Sequence, residues 1–226
     1  MLNIAHYYFT SVPVLNALSK SESERLKKLL TLKKVKKGRI LYNEGSVPKS
    51  IYILKSGKVK LFQQATDGTE KMIYLYTAGE MFGYRPLLCD DRHAASAMTI
   101  EDVFVYVISA RTFLNFLKQS TQLSNILLKN LSHEFSVLIN RIGVFSQKSV
   151  KERTALSLLV FNEKYRRPDV RETEIALSRY DLAAFVGTTI ESIARITTQF
   201  REDKLIKTRG RKIIITDHKA LVKLAS

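Results

Sequence analysis

Ser178–Ile206 reads SRYDLAAFVGTTIESIARITTQFREDKLI, and its spacing decides what kind of chain this is. Ser178 is a good helix N-cap with Asp181 three residues on, and Leu182, Phe185 and Val186 supply one apolar face. Gly187 permits the left-handed backbone that ends a helix abruptly. A second helix, Thr188–Glu202, is expected to follow, opened by Thr188 with Glu191 at the capping-box position. Ile193, Ile196 and Phe200 fall at i, i+3 and i+7, giving it one buried stripe, while Ala183 and Ala184 are small enough for the helices to cross closely. Thr189, Ile190, Glu191, Ser192, Arg195 and Gln199 are left facing outward. A helix held by its back with its front free is the geometry that enters a DNA major groove. An ordinary corner of two helices fits the same spacing, Glu191 and Arg195 then forming an i, i+4 ion pair worth about 0.2–0.5 kcal/mol.

The residues that follow favour the first reading. Lys204-Leu205-Ile206 and Ile213-Ile214-Ile215 flank the basic, glycine-containing segment Lys207–Lys212, which predicts a short hairpin. Arg209, Arg211 and Lys212 at its tip suit DNA phosphates. Helix pair and hairpin together predict a winged helix-turn-helix.

The 226 residues are enough for one large or two modest domains, with 45% hydrophobic residues for cores and 26% charged residues at the surface. The apolar runs fall short of a membrane span, and residues 1–9 carry no basic-then-apolar secretion signal, so a cytoplasmic protein is expected. Cys89 is the lone cysteine, and His6, His93, His133 and His218 lack ligand spacing. No metal, haem, iron–sulfur or other cofactor is expected. The net charge of +16 favours polyanionic partners. It is spread, however: 21 basic against 11 acidic residues over 1–149, and 16 against 10 over 150–226. The densest basic run, Lys27–Arg39, reads as a solvated helix end and strand.

Taken in order, residues 1–12 show little beyond His6-Tyr7-Tyr8-Phe9, and Leu15–Leu30 reads as one amphipathic helix capped by Ser21 or Ser23. From Leu32 to Ile108 the period changes to strands between glycines: Ile40–Tyr42, Ser50–Leu54, Val59–Phe62, Met72–Tyr76 and Val103–Ile108, with Asp67-Gly68 as a hairpin turn. Short strands with regular turns predict a sandwich or jelly roll. Ala110–Phe145 is helical throughout. Leu114, Thr121, Leu128, Phe135 and Ile142 recur every seven residues, and Leu117, Ser124, Leu131, Leu138 and Phe145 follow three positions later. That a/d seam predicts a parallel dimeric coiled coil, with Gly143 as a hinge. Lys148–Tyr165 is a further helix, stopped by Arg166-Arg167-Pro168. The expected divisions are 1–109, 110–146 and 147–226.

The order of parts resembles the cyclic-AMP receptor protein/fumarate–nitrate regulator (Crp/Fnr) family of bacterial transcription factors. The residues that carry the resemblance are Gly38…Glu44-Gly45…Tyr52-Ile53…Ser56-Gly57-Lys58-Val59, then Gly79-Glu80-Met81-Phe82-Gly83, then Val186 through Arg195. It implies an α+β chain: an N-terminal double-stranded β-helix (a jelly roll of the cyclic-nucleotide-binding kind), a long dimerisation helix, and a C-terminal winged helix-turn-helix. It also implies base reading by Ile190, Glu191 and Arg195 and phosphate contacts by Arg179 and Thr189. The chemistry agrees, since arginine pairs bidentately with guanine and glutamate accepts from cytosine N4. Ile190 replaces the arginine of the cyclic-AMP receptor branch and offers only apolar contact, so the operator should differ there.

The sensor end departs further. Where cyclic-nucleotide-binding relatives carry Gly-Glu and then Arg-Ser-Ala, this chain has Gly83-Tyr84, with Arg85 next, and then Arg92-His93-Ala94. Tyr84 cannot accept the ribose hydroxyls as a carboxylate does, and the polar Thr-Ser pair of the dimer helix gives way to apolar Val137–Ile139, including Leu138. Cyclic AMP is therefore not expected as the effector; Arg85 and Arg92 can hold another anion. The leading expectation is a homodimeric, sequence-specific regulator of double-stranded DNA with a near-palindromic operator, an unidentified small-molecule effector at the β-roll, and RNA polymerase as a further partner. The alternative is a signalling module that binds a small molecule or protein, its DNA binding vestigial. No nucleophile–base pair, paired carboxylates or phosphate loop marks an enzyme.

Overall fold

The computed structural model of the chain describes residues 2–9, 12–167 and 169–226. It divides into two compact units, Thr10–His133, and Met1–Phe9 together with Glu134–Ser226.

The first unit opens with α1 (Val14–Ala17) and α2 (Lys20–Leu29), where one helix with a cap at Ser21 or Ser23 was expected. The break has a local cause. Ser19 turns its hydroxyl to the Glu22 amide and gives its own N–H to Gln122 Oε1 at 2.8 Å, satisfying the backbone without a continuous helix. Ser23 is buried instead, its hydroxyl donating to the Leu15 carbonyl at 2.8 Å.

Eight strands follow: β1 (Thr31–Val35), β2 (Ile40–Tyr42), β3 (Ser50–Ser56), β4 (Val59–Gln64), β5 (Glu70–Tyr76), β6 (Met81–Phe82), β7 (Ser96–Thr99) and β8 (Val103–Ser109). They form two antiparallel four-stranded sheets, β1-β8-β3-β6 and β2-β7-β4-β5. Strand β1 lies within the Lys27–Arg39 run read as a helix end and strand, and it is a basic edge with four of five residues exposed. Strands β6 and β7 were not expected: the first has two residues, and three of the four side chains of the second are small. Gly57 links β3 to β4 at φ +88°, where a Cβ would stand 2.7 Å from the Asp102 carbonyl oxygen; only glycine fits.

The single helix expected from Ala110 is two, α3 (Ala110–Gln119) and α4 (Thr121–Gln147). Ser120 separates them in extended conformation, and its hydroxyl accepts from the Leu123 amide at 3.0 Å, a cap that restarts the helix. Leu114 and Leu117 therefore do not share a helix with Leu128. Phe113, Phe116, Leu123 and Leu127 are buried with Leu26, Ile51, Ile53, Met81 and Tyr84 in one core under the helices. Along α4 the other face stays open: Leu128 is 64%, Phe135 66% and Ile142 70% exposed.

The second unit is built around α5 (Val150–Tyr165), capped by Ser149 and Glu152 in a reciprocal capping box and buried at every residue from Thr154 to Phe161. Helices α6 (Arg179–Val186) and α7 (Ile190–Glu202) pack on it, followed by β9 (Ile206–Arg209), β10 (Lys212–Ile215) and α8 (His218–Ala225), the last also against α5. The 3-10 turn Ile4–Tyr7 packs there too, its His6 carbonyl accepting from Asn140 Nδ2 at 3.1 Å. Helix α5 ends at Tyr165 with Arg166 as its C-cap, and Pro168 of the expected stop lies outside the described residues.

Candidate nucleic-acid interface

Leu182, Ala183, Phe185 and Val186 of α6 meet Ile193, Ile196 and Phe200 of α7 in the buried core of this unit. Between the helices Gly187 sits at φ 72°, ψ 55°. Helix α7 starts at Ile190 and not at Thr188: Thr189 is the N-cap, its hydroxyl accepting from Ser192 N–H. Two adjacent threonines made the register ambiguous, and the one whose hydroxyl reaches the third amide onward prevails. Glu191 is therefore not the capping-box partner. Its carboxyl is held below the usual range by its own backbone amide and by the Thr189 hydroxyl.

Packing the back of α7 leaves Ile190 42% exposed and Glu191, Arg195 and Gln199 outward, with Ser192 half-buried. Among the described residues no ion pair joins Glu191 to Arg195, so neither charge is committed to the other. At the start of α6, burial lowers the Arg179 guanidinium, whose Nη1 is buried without a hydrogen-bond partner.

The hairpin is present, with Gly210-Arg211 as its turn, and it gains a third partner through mutual hydrogen bonds of 2.8 and 3.1 Å between Ile175 and Ile213. That extra chain brings two acids which the sequence reading missed. Glu174 accepts from Arg209 at 2.7 Å and from Lys212 at 2.5 Å, while Glu172 pairs with Lys207 at 2.5 Å and lies 3.6 Å from Arg209. These bases hold both carboxyls below their ordinary range. The Arg209 expected free for phosphate is thus engaged, and Arg211 joins none of these pairs. The missed signal was the alternation of Glu172 and Glu174, whose 35- to 38-residue separation from the hairpin hid the pairing.

Of the expected effector residues, Gly83 and His93 both adjoin Tyr42, and the others make contacts of their own. Tyr84 is 1% exposed in the core that faces the helices, under the Arg85 guanidinium at 5.4 Å. Arg85 donates to the Tyr76 hydroxyl at 2.8 Å, and Arg92 is exposed with Nη1 on the Gly45 carbonyl at 3.0 Å. His93 stacks on Tyr42 with centroids 3.8 Å apart, and burial pushes its pKa down and that of Tyr42 well up. Tyr42, Tyr52, Phe82, Tyr76 and Tyr74 continue as one aromatic series, neighbouring centroids 4.5–6.4 Å apart. The glycine Gly83 ends β6, the carbonyl of Ala94 accepts from Gln63, and Leu138 lies on α4 with 41% exposure. Among the described residues no group of acids, histidines or cysteine could hold a metal, and no helix is long and apolar enough to cross a membrane.

A jelly roll, a long helix and a winged helix-turn-helix, in that order, define a DNA-binding transcription regulator with a cyclic-nucleotide-binding type of sensor fold. Comparison with known proteins agrees. Residues 32–120 match the cyclic nucleotide-binding domain and residues 152–224 the Crp-like helix-turn-helix domain. The fumarate and nitrate reduction regulatory protein of Vibrio cholerae is 26% identical over 211 residues, 92% of this chain and 84% of the relative, and its Escherichia coli K12 counterpart is 25% identical over the same shares. FixK2 from Bradyrhizobium japonicum superposes with a TM-score of 0.78 at 21% identity, over 87% of this chain and 98% of its own. A CooA variant from Carboxydothermus hydrogenoformans gives 0.75 at 20%, over 98% and 99%. The chain belongs to the Crp/Fnr family of transcriptional regulators, and its relatives there are regulators and not enzymes.

Proposed function

We propose that the protein acts in the cytoplasm as a homodimer joined through residues 110–145, setting two copies of α7 in successive major grooves of a near-palindromic operator, ~34 Å apart. The exposed stripe Leu128, Phe135, Leu138 and Ile142, spaced i, i+7, i+10 and i+14 along α4, supports the pairing. Arg195 reads guanine, Glu191 accepts from cytosine N4, Ile190 meets a thymine methyl, and Ser192 and Gln199 complete the base-facing row. Thr189, Arg179 and Arg211 take phosphates, and Arg209 joins them by exchanging Glu174 for the backbone of the duplex.

One observation carries this reading: Glu191 and Arg195 stand outward, unpaired with each other, on a helix whose opposite face is packed. Selection of binding sites from random duplexes should return a two-fold motif. Arg195→Ala should cost about 1–3 kcal/mol in specific binding and relax discrimination at one base pair of each half-site. A mutant that selects the parental motif unchanged rejects the assignment, and no sequence-selective binding under any condition favours a signalling module with vestigial DNA binding.

The effector acting through the β-roll is, in this reading, not cyclic AMP. The stacked aromatic series and the engagement of Arg85 by Tyr76 support that, because the interior groups are already paired with one another. Promoter-bound RNA polymerase is the further partner of such a regulator.

A further inference from the structure

Beside the helix-turn-helix turn, the second unit encloses a small cavity walled by the end of α4, by α5 and by α6. Its polar lining is Arg141, Arg153, Tyr7 and Ser157; the remaining walls are aliphatic or the rings of Phe145 and Phe185, and no carboxylate lines it. Arg153 spans the space. Its Nη1 donates to the Lys148 carbonyl at 3.2 Å and its Nη2 to the Gly187 carbonyl at 3.3 Å, while its Nε is buried with no hydrogen-bond partner. Both guanidinium carbons lie beside the Phe145 ring, at 5.6 Å for Arg153 and 6.0 Å for Arg141, and Arg141 is also 4.4 Å over Phe185.

The Arg153 guanidinium, with its Nε–H unsatisfied in this setting, is costly to bury. Cation–π contact returns less than the desolvation of a buried charge costs. Burial lowers the Arg141 guanidinium to about 10. An orphaned Nε–H beside a second guanidinium is a donor set for oxygens in a plane, the arrangement that arginine forms with carboxylates and oxyanions.

We propose that this cavity is a binding site for a small oxyanion, a short carboxylate or an inorganic oxyanion, held between Arg153 and Arg141 beneath the turn at Gly187. Nucleotides exceed its size. Because the same Arg153 ties the Lys148 carbonyl, just past α4, to the Gly187 carbonyl, an anion drawing on its guanidinium loads the turn that sets α7. The binding claim is independent of the proposed function; only the effect on DNA rests on it.

The test uses the full chain, ¹⁵N-labelled, titrated separately with sodium formate, acetate, nitrate, phosphate and sulfate against chloride at constant ionic strength. The arginine Nε–H signals are followed, that of Arg153 being assigned from its loss in Arg153→Lys. A saturable shift of the Arg153 Nε–H in wild type with at least one anion, weakened at least about tenfold in Arg141→Gln, is the expected result. Response to formate and acetate alone marks a carboxylate site, and to the inorganic ions alone an inorganic one. Shifts that stay linear and equal to those in chloride overturn the site, as does saturation unaltered in Arg141→Gln; the wild-type titration decides even if that variant fails to fold. Operator affinity measured with and without the effective anion tests the coupling: a change supports it and none overturns that part. Saturable anion binding with no sequence-selective DNA binding would instead leave the site standing and reject the proposed function.

Discussion

Gly187 concentrates two constraints in one residue. Its backbone is left-handed, and a Cβ there would stand 2.9 Å from Phe145 Cε1. Gly187→Ala should cost at least about 1–2 kcal/mol from the backbone alone, read as a lowered urea midpoint, and operator affinity should fall further than stability because α7 shifts with the turn. His93 gives a second test. Burial lowers its folded pKa below the ordinary 6.5, so the folded state prefers the neutral ring. The stability this contributes is present above pH 6.5 and is lost as pH falls toward the folded pKa, where the unfolded chain takes up the proton first. Melting temperatures from pH 7.5 to 5.5 should therefore drop more steeply for wild type than for His93→Gln. Ser178, Gly187 and the buried stripe of α7 were readable because caps and periodicity are local. The orphaned Nε of Arg153 was not, since it depends on three segments meeting.

The hairpin shows the same limit for an element. Its strands and basic tip were evident from apolar runs around a glycine, but the Glu172/Glu174 pairing arises only when Ile175 joins Ile213. Those carboxylates occupy bases that phosphates would otherwise take. Glu172→Gln with Glu174→Gln should tighten DNA binding at low salt and steepen the fall of log K with log salt by up to about 0.9 for each basic residue freed. An unchanged slope would mean that the hairpin does not touch the duplex. The α3/α4 break escaped sequence reading because the heptad count runs straight through Ser120. A repeat of seven records which residues are apolar, not where a serine hydroxyl recaptures an amide.

For the whole molecule, the open face of α4 bears on assembly. Phe135→Asp with Ile142→Asp places charge at 66% and 70% exposed positions, so the fold should persist while the dimer does not form. Sedimentation should give a monomer with native circular dichroism, and operator affinity should fall at least about a hundredfold as the two half-sites cease to be held together. A dimer that survives both changes would place the seam elsewhere. Order of synthesis adds a consequence of the discontinuous second unit. The Ile4–Tyr7 turn leaves the ribosome ahead of everything it packs against, and Asn140, the anchor of its His6 carbonyl, follows 134 positions later. The jelly roll can close while translation continues, whereas the DNA-reading half must wait for α8. A nascent chain stalled before Asn140 would thus hold a finished β-roll and an unmoored Ile4–Tyr7 turn.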